Sequence, residues 1–145
     1  MADVVSKAVR SRIMSRIRGK NTEPELRVRR TVLRMGYRIR LHSANLPGRP
    51  DIVLNRHRIA IFVHGCFWHR HQGCRFATRP ATRRAFWMAK FRQNMARDQR
   101  IAGQLRRSGW SVSTIWECVA RDEARLRSSL KGRISRARRL KKSPS

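Results

Sequence analysis

Apolar residues are concentrated in two short runs near the middle of the chain. The segments DIVLN (51–55) and IAIFV (59–63) are almost wholly apolar and rich in β-branched side chains. Such runs predict partly buried strands, and the RHR between them predicts a hairpin. WSVSTIWEC (110–118) predicts another strand, and YRIRL (37–41) alternates in a way that also suits one. These strands predict a small sheet.

Helical patterns precede and follow the strands. In the segment 21–36, Thr22 can cap a helix, Pro24 suits its first turn and Gly36 ends it. The segment 120–140 is a basic closing helix with scattered apolar positions.

A long helix is predicted over residues 80–109, between the hairpin and the last strand. Its apolar stripe includes Trp87, Phe91 and Met95 at a spacing of four. The order of elements is then helix, strands, long helix, strand, helix. This order predicts an α/β fold, or mixed α+β, with a small central mixed sheet flanked by helices.

Length and charge together indicate how the chain is divided. At 145 residues the chain predicts one core, which we assign to residues 21–125. Residues 1–20 read as a basic arm or helix, and residues 126–145 as a basic closing helix and tail. We therefore expect one central domain with a basic segment on each side.

The overall charge points to a polyanionic partner. Lys and Arg number 36 against 8 Asp and Glu, which gives a net charge of +28. Neutralised phosphates release condensed counterions, so nucleic acid is the natural partner of such a chain. A hydrophobic content of 40% excludes a disordered tail protein. We expect a cytoplasmic protein without a membrane partner, since no signal-peptide core or spanning segment is apparent.

Three cysteines and a histidine have the composition of a metal site. Cys66, His71 and Cys74 lie within nine residues, and Cys118 follows the last predicted strand. Zn²⁺ prefers four tetrahedral sulfur and nitrogen ligands in closed structural sites. The alternative is that the cysteines are small buried hydrophobes and that His71 lies at the surface.

One carboxylate is placed where a nuclease would need it. Asp51 opens an apolar strand directly after Pro50, and a carboxylate at a strand end can hold Mg²⁺ against a phosphate. Asp51 could equally pair with Arg49 or Arg56. Glu25 fits a capping box with the threonine three residues before it, which could be its whole role.

Two aromatic residues adjoin the cysteine that opens the cluster. Phe67 and Trp68 follow Cys66 directly, on a loop that bound zinc would make rigid. Rings on such a loop can stack between bases, which is worth about 1–3 kcal/mol per base. The alternative is that both rings fill the core.

Four segments of the chain closely resemble the very-short-patch repair (Vsr) endonucleases. These segments are LPGRPDIVL (46–54), IFVHGCFWHRHQGC (61–74), PATRRAFW (80–87) and WECVAR (116–121). The resemblance runs from about residue 2 to about residue 125. It implies a fold like that of type II restriction endonucleases. It also implies an enzyme that nicks DNA beside a T:G mismatch left by deamination of 5-methylcytosine.

The resemblance also implies a distribution of roles. Asp51 and the main-chain carbonyl of Val63 would hold Mg²⁺, since the usual second acid and lysine of such nucleases are absent. His69 would be the general base. Glu25 and His64 would lie around the metal-bound waters and the phosphate. The family pattern also supports a structural zinc site formed by Cys66, His71, Cys74 and Cys118.

The DNA contacts implied by the family are apolar. Trp87 joins Phe67 and Trp68 in a wedge that enters the base stack, and Met14 probes the minor groove. The chain departs from the best-known pattern at Gly73, an extra residue between two zinc ligands, and in its basic segment from Arg121 onward.

We therefore expect a monomeric, Mg²⁺-dependent endonuclease that nicks 5′ to the T of a T:G mismatch. It would act on bacterial DNA at the nucleoid and start very-short-patch repair, and contacts with mismatch-repair proteins remain open. Two alternatives stay in view. One is a zinc-stabilised nucleic-acid-binding protein without catalysis, and the other is a restriction-like nuclease that cuts paired DNA.

Overall fold

A computed structural model describes residues 22–142 of the chain. The expected N-terminal arm, with Met14, lies outside this range. The helices and strands follow in the predicted order: α1 (Glu23–Arg34), β1 (Arg40–Leu41), β2 (Ile52–Leu54), β3 (Ile59–His64), α2 (Arg84–Arg107), β4 (Ser111–Trp116), α3 (Glu117–Ala120) and α4 (Glu123–Lys142).

The four strands form one mixed sheet in the order β1-β2-β3-β4. Strand β2 is antiparallel to both β1 and β3, while β3 and β4 are parallel and joined through α2. A parallel pair needs a long crossover, which explains the 24-residue helix between its strands. The predicted small mixed sheet is confirmed, although β1 covers only Arg40 and Leu41 of the expected strand.

The hairpin between β2 and β3 is also confirmed. Its connection is a 3-10 turn over Asn55–His57, and the turn closes at Arg58, whose φ is 53°. The backbone N–H of Arg58 donates to the carbonyl of Asn55 at 3.3 Å. Leu54 then pairs with Ile59, so apolar residues face one another directly beyond the turn.

The core lies between one face of the sheet and helices α1 and α4. The sheet contributes isoleucines and leucine from β2, β3 and β4, and the helices contribute Val28, Val32, Leu126, Leu130 and Ile134. Burying each such side chain is worth about 1.5–3 kcal/mol. The segment from residue 126 onward is thus part of the core, with its cations on the outer side. Among the helices of residues 22–142, none is long and apolar enough to cross a membrane.

Helix α2 differs from its prediction in its inner face. Phe91 and Leu105 are buried, but Met95 is 43% exposed, so the prediction of Met95 as a stripe residue was wrong. A spacing of four drifts around a helix of 3.6 residues per turn. The inward face instead follows residues 91, 94, 98, 101 and 105, at alternating spacings of three and four.

The loop before β2 docks tightly on helix α2. Gly48 has a φ of +74°, and a Cβ atom added there would lie 2.5 Å from Cγ2 of Ile101. Only glycine fits both the backbone angle and the space. This contact fixes the chain three residues before Asp51 and so helps to place that carboxylate.

Candidate active site and metal-binding cluster

A cleft of about 350 Å³ opens where the ends of several elements meet. Glu25 comes from α1, Asp51 stands directly before β2, and Val63 and His64 end β3. Glu117, at the start of α3, also lines the cleft. The structure therefore brings together four of the residues that the sequence singled out, from three separate elements.

Asp51 is held by the backbone of β3. Its Oδ2 accepts a hydrogen bond from the backbone N–H of Val63 at 2.7 Å. The N–H and C=O of one strand residue point to the same side, so the Val63 carbonyl also faces the Asp51 side of the strand. Among the salt bridges of residues 22–142, none joins Asp51 to Arg49 or Arg56.

The environment of Asp51 disfavours an isolated negative charge. Burial raises the pKa of its carboxyl from 3.8 to about 6, and the neighbouring carboxylate of Glu25 adds to the rise. The hydrogen bond from Val63 and the ring of His42 act in the opposite direction. A cation placed between the two carboxylates would remove the cost of ionising both.

Glu25 does more than cap its helix. Its backbone N–H donates to Oγ1 of Thr22 at 3.4 Å, as one half of a capping box requires. Its carboxylate, however, is hydrogen-bonded to Nε2 of His42 and lies 3.8 Å from the guanidinium of Arg29. Donor atoms of Glu25, His42 and Asp51 lie within 4.8 Å of one another.

Two histidines stack beside the cleft and share one carboxylate. The rings of His64 and His69 are 3.8 Å apart and almost parallel, at 6°. Nδ1 of His69 is 2.6 Å from Oδ2 of Asp98, while Nδ1 of His64 is 4.0 Å from the same oxygen. Burial lowers the pKa of His64 to about 4, and the adjacent His69 contributes, so His64 is neutral near pH 7. Of the two residues, His64 is the one that lines the cleft.

Asp98 and His42 are functional candidates that the sequence did not reveal. Asp98 lies seven residues after Phe91, on the inward face of α2. The available signal was a polar residue that interrupts the apolar stripe of this face. His42 lies in the loop after β1, and only the pairing of β1 with β2 brings it opposite Asp51. No local pattern announces that pairing.

The cysteine cluster has the dimensions of a zinc site. Ligand atoms of Cys66, His71, Cys74 and Cys118 all lie within 4.8 Å of one another. Sγ of Cys118 is 3.4 Å from Nδ1 of His71, and Sγ of Cys66 is 3.7 Å from it. Tetrahedral zinc bonds to sulfur and nitrogen would separate those atoms by roughly 3.6 Å. The donor set and spacing therefore fit Zn²⁺.

The sheet register explains how the distant cysteine reaches the cluster. His64 pairs with Trp116 across the parallel strands, so Cys66 and Cys118 each lie two residues beyond a paired position. The extra residue Gly73 has a φ of 73°, a backbone angle that glycine adopts without strain. His71 remains within the cluster despite this insertion.

Without a cation the most deeply buried thiol of the cluster, that of Cys66, resists ionisation. Burial raises the pKa of the Cys66 thiol to about 12, and the neighbouring thiols contribute. Burial also lowers the pKa of His71, which keeps its ring neutral and able to bind a metal through Nδ1. Thiolates that are costly alone become favourable ligands once a divalent cation is bound.

The aromatic residues form one cluster next to the cysteine cluster. The ring of Phe67 lies 5.1 Å from those of Trp68 and Phe91 and 6.2 Å from that of Trp87. Phe91 is buried, whereas Phe67, Trp68 and Trp87 are only half-buried. The cluster thus has a core side on Phe91 and a partly exposed side formed by the three residues expected to form the wedge.

Arg70 ties this loop together at both ends. Its guanidinium donates to the carbonyls of Phe67, Ala77 and Thr78 at 3.4, 3.1 and 3.0 Å. It also lies 4.2 Å above the ring of Phe91. Arg70 adopts a left-handed φ of 54°, which surrounding contacts must stabilise in a residue other than glycine. Contacts of Arg70 therefore brace the loop that carries Phe67, independently of any metal in the cysteine cluster.

Comparison with known proteins gives a consistent result. The family model of the DNA mismatch endonuclease Vsr matches residues 2–75. The chain is 46% identical to the type II nicking enzyme V.XorIIP of Xanthomonas oryzae pv. oryzae, over 90% of this chain and 98% of that protein. It is 43% identical to the DNA mismatch endonuclease Vsr of Escherichia coli, over 87% of this chain and 80% of that protein. A nicking enzyme of Neisseria meningitidis, V.NmeAIP, is 35% identical over 90% of this chain and 92% of that protein.

Proposed function

Because the chain belongs to the family of the DNA mismatch endonuclease Vsr, we propose that it nicks one strand of duplex DNA 5′ to the T of a T:G mismatch. Such mismatches arise when 5-methylcytosine deaminates, and the nick would initiate very-short-patch repair. The relatives are named as endonucleases and nicking enzymes, so the chain is a DNA-nicking hydrolase and a non-catalytic binding protein is no longer an alternative. As its relatives are bacterial, we place its action in the cytoplasm, at the nucleoid.

One observation carries this proposal. A half-buried carboxylate, Asp51, lies in the same cleft as a neutral histidine, His64, whose ring stacks on a second histidine paired with Asp98. A purely architectural nucleic-acid-binding protein has no use for this arrangement, which costs folding free energy. Phosphodiester hydrolysis uses each part of it.

Proton transfer is assigned to His69. Its Nδ1–H donates to Asp98, which leaves Nε2 free to accept a proton from the attacking water. The water oxygen then bonds to phosphorus as the bond to the 3′ oxygen breaks. The products are a 5′ phosphate and a 3′ oxygen that takes a proton from solvent water to become the 3′ hydroxyl. The stacked ring of His64 limits the orientations that His69 can take and offers a neutral hydrogen-bond partner in the cleft.

Asp51 and the carbonyl of Val63 are the residues that would hold Mg²⁺. Both offer hard oxygen donors, and the raised pKa of Asp51 indicates a site that favours a counter-charge. Bound Mg²⁺ supplies charge stabilisation to the phosphoryl oxygens and to the leaving oxygen. Glu25, deep in the same cleft, is suited to accept hydrogen bonds from metal-bound water.

The zinc cluster and the aromatic residues serve recognition. With four protein ligands the zinc site is closed and therefore structural. It would hold rigid the loop that bears Phe67 and Trp68, which together with Trp87 form the proposed wedge. A wobble pair costs less to unstack than a well-matched pair, so a rigid wedge selects it. Met14, outside the described residues, keeps its proposed contact with the minor groove.

The test is a nicking assay on duplexes labelled on each strand, with Mg²⁺ present. We expect a single nick on the T strand of a T:G duplex and none in the paired control. Asp51→Asn removes the anionic ligand while preserving shape, so nicking should fall roughly 100-fold or more, because metal stabilisation is worth several kcal/mol. Binding to the mismatch should persist.

The matched control is Asp122→Asn, which removes the same charge at an exposed position. The carboxylate of Asp122 accepts a hydrogen bond from the backbone N–H of Arg125 in the first turn of α4, and asparagine can accept it too. This variant should leave the nicking rate unchanged. Full activity in purified Asp51→Asn would contradict the metal role. Equal cutting of both strands of the paired control would instead favour a restriction-like nuclease.

A further inference from the structure

The pairing of two strands brings His42 beside Asp51, which lines the cleft. Leu41 of β1 pairs with Ile52 of β2, so the next pair along the ladder is His42 and Asp51. The backbone N–H of His42 donates to the backbone carbonyl of Asp51 at 3.3 Å, which extends the ladder by one step. Side chains of directly opposed residues are close neighbours in an antiparallel pair. The position of His42 beside Asp51 therefore follows from the topology.

The backbone at His42 departs from a regular strand. Its φ is 47°, in the left-handed region that few residues other than glycine occupy. Such a conformation persists only where the surroundings fix it, and it is concentrated at functional sites. Here the change of direction directly follows β1, and the side chain contacts Glu25 on α1. The fold thus accepts an unfavourable backbone angle at the residue that faces two carboxylates.

The side chains themselves form a convergent donor set. His42 and Glu25 are 13% and 3% exposed and contact each other through Nε2 and Oε1. One donor atom from each of Glu25, His42 and Asp51 lies within 4.8 Å of the others. Two carboxylates and one imidazole at such spacing form a mixed oxygen and nitrogen site, unlike the all-oxygen surroundings that Mg²⁺ prefers.

We propose that His42 is a further metal ligand of the Asp51 cleft, and that it biases the cleft towards divalent cations that accept nitrogen as well as oxygen, such as Mn²⁺. This inference rests on the proposed metal role of Asp51. Imidazole nitrogen raises the affinity for first-row transition ions, whereas it adds little for Mg²⁺. His42 is therefore the residue that sets which divalent cations the cleft retains.

The contact of His42 with Glu25 allows an opposite role. A protonated His42 would act as an internal counter-ion for the two carboxylates and would compete with any added cation. The two roles predict opposite effects of removing the ring. If His42 is a ligand, its removal weakens Mn²⁺ binding. If it is a competing counter-ion, its removal strengthens Mn²⁺ binding.

The experiment measures cation binding directly, on the zinc-loaded full chain without DNA. Free Mn²⁺ is followed by its electron paramagnetic resonance signal, and Mg²⁺ is measured by competition. His42→Asn is the main variant, because asparagine tolerates the left-handed backbone. His42→Gln, which returns a neutral oxygen donor at longer reach, is the second. We expect Mn²⁺ affinity to fall about tenfold or more in both variants, with a much smaller change for Mg²⁺.

Three controls make each outcome decisive. His57→Asn removes a histidine that packs on Tyr37, outside the residues that line the cleft, and should leave both affinities unchanged. Zinc content and melting temperature should match the parent in every variant that is compared. Asp51→Asn should lose both cations, and if it does not, the proposed metal role of Asp51 fails whatever His42 does.

If Asp51→Asn loses both cations, the His42 variants decide the inference on their own. An unchanged ratio of Mn²⁺ to Mg²⁺ affinity in both variants would overturn it. A rise in Mn²⁺ affinity would also overturn it and would identify His42 as the counter-ion. A selective loss of Mn²⁺ supports His42 as a ligand.

Discussion

Two clusters of polar side chains flank the end of strand β3, and they differ in chemistry and in closure. The zinc cluster, our name for the proposed zinc site of Cys66, His71, Cys74 and Cys118, consists of three sulfur atoms and one ring nitrogen, within 4.8 Å of one another. The cleft cluster of Glu25, His42 and Asp51 is rich in oxygen and borders an opening of about 350 Å³. Soft ligands in a closed set suit a metal that holds a fold together. Hard ligands at an open cleft suit a metal that must also reach a substrate.

A few residues connect the two clusters mechanically. His64 lines the cleft, and Cys66, two residues further on, belongs to the zinc cluster. The ring of Trp116 stacks on His71 at 4.3 Å and meets His64 edge-on at 5.5 Å. The zinc cluster therefore braces the histidine pair, although none of its ligands lines the cleft. The residues that hold the fold and those proposed to act on DNA therefore share one strand end.

The largest expected effect comes from opening the zinc cluster. Cys118→Ser removes the ligand that ties β4 to the loop after β3. The variant should lose its metal and several kcal/mol of unfolding free energy, since structural zinc contributes folding free energy outright. Metal analysis and urea denaturation check both effects, and chelation of the parent should reproduce them. A metal-free variant with unchanged melting would mean that the cysteines only fill space.

The elements themselves could be predicted because their signals are local. The strands at 52–54 and 59–64 and the helix ends at Thr22 and Gly36 depend on periodicity and turn residues within a few positions. The cluster at Cys66, His71 and Cys74 is equally local. Each was visible in the sequence because neighbouring residues carry the whole pattern.

The rest of the site depends on pairings that no short segment contains. His42 reaches Asp51 only through the register of β1 with β2, and Asp98 reaches His69 only through the packing of α2. The spacing of four that connects Phe91 with Met95 leaves the buried face of α2 after one turn. The face that is in fact turned inward leads to Asp98. Long-range register and exact helical phase are what a single sequence conceals.

A smaller effect should follow from changing the aromatic loop that lies against the zinc cluster. Trp68→Ala should weaken binding to a T:G duplex by about 1–3 kcal/mol, the value of base–aromatic stacking. Binding to paired DNA should change little, because phosphate contacts carry it. Equilibrium binding to matched and mismatched duplexes measures the difference.

Phe86→Ala is the control for this prediction. Phe86 is 46% exposed and packs edge-on against Trp87, but it lies outside the loop. The Phe86→Ala variant should distinguish a T:G duplex from a paired duplex as well as the parent does. A fully buried tryptophan would instead cost about 3–5 kcal/mol of folding stability on truncation. Early melting of Trp68→Ala with intact T:G discrimination would assign the ring to the core and remove it from the wedge.

The last expected effect concerns the charge of the cleft when no divalent cation is added. Burial, with a contribution from Glu25, raises the pKa of Asp51 from 3.8 to about 6 in the folded chain. Between those values the folded state binds more protons at this group than the unfolded state does, so stability is lost as pH rises from about 4 to about 6. Asparagine mimics the protonated carboxyl and avoids this loss.

Asp51→Asn should therefore be more stable than the parent above pH 6, by about 1–3 kcal/mol, and nearly equal to it below pH 4. Urea denaturation of both proteins across this range gives the difference, in which zinc release at low pH affects both alike and cancels. Asp122→Asn, at an exposed carboxylate, should show no such trend. If the difference in unfolding free energy between the two proteins does not change with pH, the cleft tolerates the negative charge of Asp51 without a cation. If the difference shrinks at pH 7.5 when Mn²⁺ or Mg²⁺ is added, the cation relieves the cost of ionising Asp51 in the cleft, as the proposed zinc ion would for the buried thiol of Cys66.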